Sequence, residues 1–376
     1  MTTVRVAMLT YSTKPRGGVV HTLHLAEALS RLGVDVTVWS LARGGDEGFF
    51  RSVDPAVRQR LIPFPDVPGE SVTERIVRSI AAMRSAFDHH TSDHGAYDVV
   101  HAQDCISANA VGICIRTIHH LDQFTTPILV ECHEKAVVNP YARICVSRAV
   151  ADEVRAGWGL SPTVIPNGVD FERFSAAASD GGADARNRWG QQLGRYVLAV
   201  GGIEPRKGSI DLVSAFAAVR EQDPGLSLVF AGGETLFDYR GYRDEFDRVA
   251  AELGVDPIVL GTVPDDELPS LVAACEVFAF PSTKEGFGLA AMEALSAGRP
   301  VVARELPILR EVFGDSVTYA SDVDELAARL LEARTPDARR HDAGIELARS
   351  LTWDAAARAH LEFYHAHPAP PSSVVR

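Results

Sequence analysis

A glycine turn separates a predicted strand from a predicted helix at residues 285–293. The apolar run 277–280 leads into this turn, and the helix-forming run 289–297 follows it. Gly286 and Gly288 allow a ligand to approach the backbone closely. A helix N-terminus presents free N–H groups and the positive end of a dipole, which suit an anion or a polyhydroxyl ligand. The pattern therefore predicts a ligand site at a strand–turn–helix junction of an α/β fold.

Two glutamates, Glu285 and Glu293, flank this turn. Eight helical steps of about 1.5 Å each would separate their backbones by roughly 12 Å. Carboxylates that act on one glycosidic bond lie only about 5 to 9.5 Å apart. The spacing therefore favours a pair that holds two parts of one long ligand. The alternative is that both are exposed glutamates near a helix start, where the dipole favours acidic residues.

The composition argues against several classes of protein. The chain has 376 residues and a formal net charge of −13, whereas a nucleic-acid partner favours a basic face. No apolar run approaches the roughly 20 residues of a membrane helix. The N-terminus has no signal-peptide pattern, and the five cysteines show no C-x-x-C spacing. We therefore expect a cytoplasmic protein with reduced thiols and no structural zinc.

Strands and helices alternate along the chain in two series. Strands at 4–9 and 34–39 flank a predicted helix, and this βαβ order predicts a parallel sheet. Residues 41–72 are predicted to form loops and short pieces, and the small, polar stretch 175–194 a flexible boundary. The alternation restarts with a strand at 196–200. Two α/β halves are predicted, with strand ends that would face each other across a ligand cleft.

Two adjacent cations suit a phosphorylated ligand. Arg206 and Lys207 lie between a predicted strand and a predicted helix, a position that fits a pyrophosphate. Lysine is scarce, since only four lysines stand beside 33 arginines, so each lysine is a candidate for a site that suits a compact ammonium. The alternative is that both cations are solvated charges on a loop.

Small and polar residues follow the strands of the first half. Gly17 and Gly18 come after the first strand, either as a ligand loop or as a simple turn. His119 and His120 follow the strand at 113–118, where an open α/β sheet binds its ligands. A packed histidine is the alternative to a catalytic one, and no metal-ligand spacing is present.

Together these motifs resemble the retaining glycosyltransferases of family 4. The resemblance is carried by Gly17-Gly18, by Thr117-Ile118-His119, and by the stretches 164–170, 201–208 and 285–293. It extends over nearly the whole chain, to about residue 365, and implies the GT-B architecture of two Rossmann-like, doubly wound domains facing across a cleft. An acceptor-side domain is expected at 1–170 and a nucleotide-sugar domain at 171–350. Within 351–376, a C-terminal helix is expected to pack back on the first domain, followed by a disordered tail.

The resemblance also implies a role for each motif. Lys207 would hold the donor pyrophosphate, Glu293 the ribose, and Glu285 the sugar hydroxyls. His119 would contact the donor sugar near the reacting carbon, so His119, Lys207 and Glu285 are the expected catalytic residues. The donor site is expected to comprise Gly17, Gly18, Arg206, Lys207, Glu285, Gly286, Phe287, Gly288, Leu289 and Glu293.

The implied reaction moves a sugar from a UDP- or GDP-type nucleotide sugar to an acceptor hydroxyl, with retention of configuration. No divalent metal or other cofactor is expected, because Arg206, Lys207 and helix dipoles would neutralise the leaving diphosphate. One departure is Gly202, which stands where the family usually has an arginine; Arg206 is the candidate replacement. Two alternatives stay open: an epimerase or phosphorylase of the same fold, and a catalytically silent module that binds nucleotide sugar.

The sugar and the acceptor have no signature in the sequence. The loops expected to contact the acceptor are 41–72 and 121–140. The negative net charge provides no basic membrane patch, which disfavours a lipid acceptor but leaves peripheral membrane contact open.

Overall fold

The computed structural model describes residues 3–122, 124, 126–232 and 240–370. These residues form two compact units. One unit comprises the described residues up to Gly168 and from Trp353 onward, and the other comprises Val169–Thr352. Each unit is built on one parallel sheet.

The first unit alternates strands and helices along the chain. Its elements, in chain order, are β1 (Arg5–Leu9), α1 (Gly17–Arg31), β2 (Asp35–Arg43), β3 (Arg58–Phe64), α2 (Val72–His94), β4 (Val99–Ala102), α3 (Cys105–Val111), β5 (Ile115–Ile118), α4 (Pro127–Val138), β6 (Ala142–Cys145), α5 (Arg148–Trp158) and β7 (Thr163–Val164).

The order of strands in the first sheet is β3-β2-β1-β4-β5-β6-β7. Strands run outward in both directions from the β1–β4 pair, in which Leu9 lies opposite Ala102. In such a sheet, ligands bind beyond the carboxyl ends of the strands at the point where the strand order reverses. In this unit, that point is the edge at which β1 and β4 end.

The second unit repeats the same plan. Its elements are α6 (Phe171–Ala178), α7 (Ala183–Leu193), β8 (Arg195–Val200), α8 (Ser209–Gln222), β9 (Leu226–Ala231), α9 (Arg240–Glu252), β10 (Ile258–Gly261), α10 (Leu268–Ala274), β11 (Val277–Phe280), α11 (Leu289–Ser296), β12 (Val301–Arg304), α12 (Pro307–Phe313), β13 (Thr318–Ala320), α13 (Val323–Glu332) and α14 (Ala338–Ser350).

The second sheet has the order β10-β9-β8-β11-β12-β13, so its strand order reverses between β8 and β11. Its apolar core includes Val197 and Val277 from these strands and Leu212 and Phe216 from α8, all of them buried. Burial of such side chains contributes about 1.5 to 3 kcal/mol each. The strand β11 is apolar and buried along its whole length, because helices cover both faces of a parallel sheet. The predicted doubly wound α/β fold is confirmed.

The last helix, α15 (Trp353–Ala366), belongs to the first unit. It packs against α1, where the rings of His21 and Trp353 lie 5.4 Å apart and the guanidinium of Arg31 bonds to Asp354 at 2.5 Å. The predicted disordered tail lies, from residue 371 onward, outside the described residues.

Three segments differ from the sequence-based prediction. Residues 41–72, predicted to be loops and short pieces, contain the strand β3. The sequence pattern did not indicate this strand, because it lies at the edge of the sheet, begins with the exposed residues 58–60 and contains Pro63. The stretch 175–194 is largely helical, not a flexible boundary, because α6 and α7 both pack against α10. Most of the predicted acceptor loop 121–140 is the helix α4; Gln123 and Thr125 lie outside the described residues.

Candidate active site

The loops that leave β8 and β11 meet at the reversal point of the second sheet. The first loop follows Val200 and the second follows Phe280, and each runs into a helix N-terminus, α8 or α11. The backbone N–H of Thr283 donates to the carbonyl of Arg206 at 2.8 Å and joins the two loops. The motifs at 201–208 and 285–293, about eighty residues apart in sequence, thus form one structural unit.

Gly208 is required where these loops cross. Its φ of +64° lies in the left-handed region, and a Cβ at this position would lie 2.3 Å from the carbonyl oxygen of Pro281. Neither the conformation nor the space admits a side chain. The close approach brings the Lys207 side chain into the site.

Two cations share one carboxylate in the site. Lys207 Nζ donates to Glu285 Oε1 at 2.6 Å, and Arg206 Nη1 donates to the same oxygen at 3.1 Å. Arg206 also donates to Glu204 at 2.9 Å. The ammonium of Lys207 lies 5.4 Å from the centre of the Phe280 ring. The structure therefore brings together three residues that the sequence assigned to the donor site.

The glycine turn forms the N-terminus of α11. Gly288 is the N-cap residue, with a φ of +95°, and a Cβ there would lie 2.9 Å from the Phe313 ring. Phe287 is buried and anchors the turn, and Leu289 is the first helical residue. The first N–H groups of a helix have no partner within the helix, so this end offers donors to a ligand.

Glu293 lies in the second turn of α11, as the spacing predicted. Burial raises the pKa of its carboxyl to about 8; Arg173 opposes the shift, and Asp265 and Asp170 add to it. No hydrogen bond to this carboxyl comes from the residues that the structure describes. A half-buried acid that lacks a donor is poised to accept hydrogen bonds from a polar ligand.

In the first unit, Gly18 and His119 lie at the edge where β1 and β4 end. A Cβ on Gly18 would lie 3.6 Å from the His119 ring. His119 Nε2 lies 3.2 Å from Gln103 Oε1, within hydrogen-bonding distance. Burial lowers the pKa of His119 well below its usual value, and the positive potentials of His21 and Arg116 lower it further.

The two adjacent histidines differ in their surroundings. His119 packs within the unit, with its ring centre 4.7 Å from that of His21. His120 is partly exposed and its Nε2 lies 3.1 Å from Asp122. Of the two, His119 is the one that lies beside Gly18.

Sequence reasoning missed Arg304, at the carboxyl end of β12. Its Nε donates to the carbonyl of Pro281 at 3.2 Å, and its guanidinium also pairs with Asp211. It is a further cation at the same edge of the sheet, beside Gly208. The sequence feature that could have indicated it is its position directly after the apolar run 301–303, since Arg206 likewise follows the strand β8.

Comparison with known families decides the identity of the chain. Residues 15–173 match the family described as Glycosyltransferase Family 4, and residues 185–346 match the family described as Glycosyl transferases group 1. The chain belongs to glycosyltransferase family 4. It is a nucleotide-sugar-dependent glycosyltransferase, as the motifs predicted.

Similar proteins and solved structures match this family 4 chain over nearly its whole length. A D-inositol 3-phosphate glycosyltransferase from Corynebacterium aurimucosum is 29% identical, with 94% of each chain covered. Among solved structures, sucrose-phosphate synthase from Thermosynechococcus elongatus matches with a TM-score of 0.78 and 21% identity over 96% of this chain and 98% of that one. Anabaena HepE, solved in complex with UDP and glucose, matches with a TM-score of 0.72 and 19% identity over 96% of this chain and 100% of that one.

The predicted family, fold class and enzyme class are therefore confirmed. The roles assigned to individual residues stay predictions. No helix in the described parts of the chain is long and apolar enough to cross a membrane.

Proposed function

We propose that this glycosyltransferase moves a hexose from a uridine-diphosphate sugar to an acceptor hydroxyl, with retention and without a divalent metal. The observation that supports this most is the cluster of Lys207, Arg206 and Glu285 at the reversal point of the second sheet. Uridine is chosen over guanosine because HepE, which shares the fold, was solved with UDP.

The cluster gives the donor pyrophosphate a charge-assisted site. Lys207 and Arg206 are held close together by one carboxylate oxygen of Glu285. A pyrophosphate that binds these cations would replace this carboxylate as their partner. Glu285 would then accept hydrogen bonds from the hydroxyls of the donor sugar. The ion pair thus holds in place both the cations proposed for the pyrophosphate and the carboxylate proposed for the sugar.

Glu293 is proposed to hold the ribose. Its carboxyl has no hydrogen-bond donor among the described residues, and two adjacent ribose hydroxyls would supply two. It lies one turn into α11, beyond the glycine turn that leads from Glu285. With Glu285 at the sugar and Glu293 at the ribose, the glycine turn between them would lie beside the diphosphate of the donor.

Charge separation determines the chemistry of the transfer. Breaking the anomeric C–O bond leaves positive character on the sugar and negative charge on the diphosphate. Lys207, Arg206 and the N-terminal N–H groups of α11 would stabilise this negative charge where it develops. The backbone of Phe287, Gly288 and Leu289 supplies the turn from which these donors project.

His119 is proposed to act on the donor sugar near the reacting carbon. Its Nε2 lies 3.2 Å from Gln103 Oε1, so its other ring nitrogen, Nδ1, is the one proposed to contact the donor sugar. Gly17 and Gly18, at the start of α1, are proposed to allow the donor to approach the backbone beside this ring.

A thermal-shift panel tests the choice of donor. UDP and UDP-hexoses should raise the melting temperature of the full chain in the presence of a metal chelator, since a ligand stabilises in proportion to its occupancy. Stabilisation by GDP and not by UDP would overturn the uridine assignment. Loss of the UDP effect on chelation would overturn metal independence.

Incubation with donor alone separates transfer from epimerisation. With donor alone, a transferase should release nucleoside diphosphate slowly, because only water can accept the sugar. Adding an acceptor should make this release faster. An epimerase would convert the donor to an isomer with no loss of diphosphate, and a silent binding module would leave the donor unchanged.

A further inference from the structure

Gln103 lies at the ligand-binding edge of the first sheet, although it is not among the residues assigned to the donor. It is the first residue after β4, and its backbone N–H donates to the carbonyl of Leu9, the last residue of β1, at 2.9 Å. These two strands flank the point where the strand order reverses. Only 2% of Gln103 is exposed. The sheet therefore fixes this side chain next to the site at which ligands are expected.

The side-chain amide of Gln103 pairs at one end and lacks a partner at the other. Its Oε1 lies 3.2 Å from Nε2 of His119. Its amide nitrogen is buried and has no hydrogen-bond partner among the described residues. A buried amide without a partner costs free energy, which an apolar side chain of similar length would avoid. Stability alone therefore does not account for a glutamine at this position.

The ring of His119 has two orientations that its χ2 torsion allows, because this torsion is roughly two-fold. Rotation by half a turn exchanges Nδ1 with Cδ2 and Nε2 with Cε1. Burial lowers the pKa of His119 well below its usual value, so the ring is neutral and one nitrogen donates while the other accepts. The orientation of the ring therefore decides whether a nitrogen or a C–H group faces a ligand.

The neighbours of this ring on α1 do not distinguish the two orientations. A Cβ on Gly18 would lie 3.6 Å from Cδ2 of His119 and 3.7 Å from its Nε2, so the helix backbone lies along that edge of the ring. The ring of His21 meets that of His119 at 76°, with 4.7 Å between centres, and its own Nδ1 pairs with Asn167 at 2.8 Å. These packing contacts restrain the plane of the ring, but they hold a nitrogen and a C–H group alike.

Gln103 is the one hydrogen-bond partner of the His119 ring within the described part of the chain. Its bond to Nε2 is formed in only one of the two orientations. In that orientation the Cδ2–Nε2 edge faces Gly18, and Nδ1 has no hydrogen-bond partner among the described residues. The bond therefore leaves Nδ1 for a ligand.

We propose that Gln103 is a positioning residue for the transfer reaction, which selects the orientation of His119 in which Nδ1 faces the donor sugar. Gln103 acts through His119 and does not contact the sugar. Its attachment to the sheet at Leu9 makes this selection rigid. The unpaired amide nitrogen is the stability that the fold gives up for it. This inference rests on the proposed role of His119.

The kinetics of Gln103→Met test the proposal, since methionine has a similar length and offers no amide to the ring. The rate constant for release of UDP from a UDP-hexose should fall about tenfold or more, because misplacing a reacting group by about 1 Å can cost about 10²-fold. Calorimetry should give the wild-type affinity for UDP, which lacks the sugar. The melting temperature should stay close to that of wild type, because one unpaired group disappears as another is created.

Two further variants support this measurement. Gln103→Asn keeps the amide but draws it away from the ring, so it should show the same fall in rate even if methionine disturbs the packing. Ser40→Ala is the matched control, because the Ser40 hydroxyl on β2 is also buried and has no partner among the described residues. It should turn over as wild type does. A wild-type rate in both Gln103 variants would overturn the proposal.

The His119→Ala variant separates this inference from the function on which it rests. If His119→Ala turns over as wild type does, the proposed role of His119 is wrong. If it loses activity while the Gln103 variants do not, the positioning role is wrong and the role of His119 stands. In the His119→Ala background, Gln103→Met should cause no further loss, because no ring remains to be oriented. A full further loss there would overturn the positioning role.

Discussion

Glu285 is the residue at which the charges of the donor site meet. Its side chain is mostly buried, and one of its oxygens accepts from both Lys207 and Arg206. Removing the carboxylate would therefore have two effects. It would leave Lys207 and Arg206 without the partner that holds them together. It would also remove the acceptor proposed for the sugar hydroxyls.

Replacing Glu285 by Ala should lower turnover by about 10² to 10³, the usual cost of losing one charge-assisted contact to the transition state. Donor consumption by the purified chain, with folding checked by circular dichroism, gives the measurement. Near-normal turnover in a folded variant would remove Glu285 from the mechanism.

Glu293 should make donor binding depend on pH. Its pKa is raised to about 8 in the free protein, and the ionised carboxylate is the stronger acceptor for ribose hydroxyls. Affinity for UDP should therefore rise as pH increases from about 6.5 to 8.5. Calorimetric titration across this range measures it.

The Glu293→Gln variant is the control for this dependence, because its amide keeps the shape and does not titrate. It should bind UDP more weakly, with a flatter pH profile. An equal slope in wild type and variant would assign the titration to another group.

At the scale of the secondary-structure elements, two loops and two helix N-termini build the donor site. The backbone hydrogen bond from Thr283 to Arg206 and the close contact of Gly208 with Pro281 fix the loops against each other. The site should therefore be sensitive to a single methyl group at the crossing.

Gly208→Ala should cost more stability than Gly254→Ala. Both glycines have a φ of +64°, so both variants incur the same left-handed strain of about 1 to 2 kcal/mol. Only at Gly208 would the new Cβ meet backbone, 2.3 Å from Pro281, whereas nothing lies within 4 Å at Gly254. Urea denaturation of the two variants gives the comparison, and equal losses would contradict the packing account.

Elements of this site were predictable where local chemistry determined them. The glycine turn and the helix start at Leu289 followed from glycine spacing and an apolar run. The strand β3 did not, because an exposed edge strand needs no apolar alternation and takes its hydrogen bonds from β2 alone. The bond between Lys207 and Glu285 could not be predicted from the sequence either, because these residues meet only through the pairing of β8 with β11.

At the scale of the whole molecule, the last helix completes the first unit through a group of buried histidines. His360 on α15 lies 6.0 Å from His21 and 5.8 Å from His101, measured between ring centres. His119 adjoins His21. Burial lowers the pKa of His21 to about 3 and that of His360 to about 4, and lowers those of His101 and His119 well below the usual value.

These histidines should make the protein sensitive to acid. Because their pKa values are depressed in the folded state, the unfolded chain binds more protons between the folded values and about 6.5. The free energy of unfolding should therefore be highest above pH 6.5 and fall as pH decreases toward 4. Urea titrations at pH 7.5 and 5.0 measure the loss.

Two variants assign this loss to the buried histidines. His360→Leu removes one of them and should reduce the difference in stability between the two pH values. His89→Gln, at a side chain that is 83% exposed, should leave the difference as in wild type. The same difference in all three proteins would contradict the assignment.

The most direct test of the donor site is calorimetric titration of UDP into the wild type and two lysine variants. Lys207→Ala removes the proposed pyrophosphate contact, and Lys284→Ala removes a neighbouring ammonium from the β11–α11 loop. The donor site described above predicts that Lys207→Ala weakens UDP binding roughly tenfold or more, while Lys284→Ala binds as wild type does. Equal affinity in wild type and Lys207→Ala would contradict it.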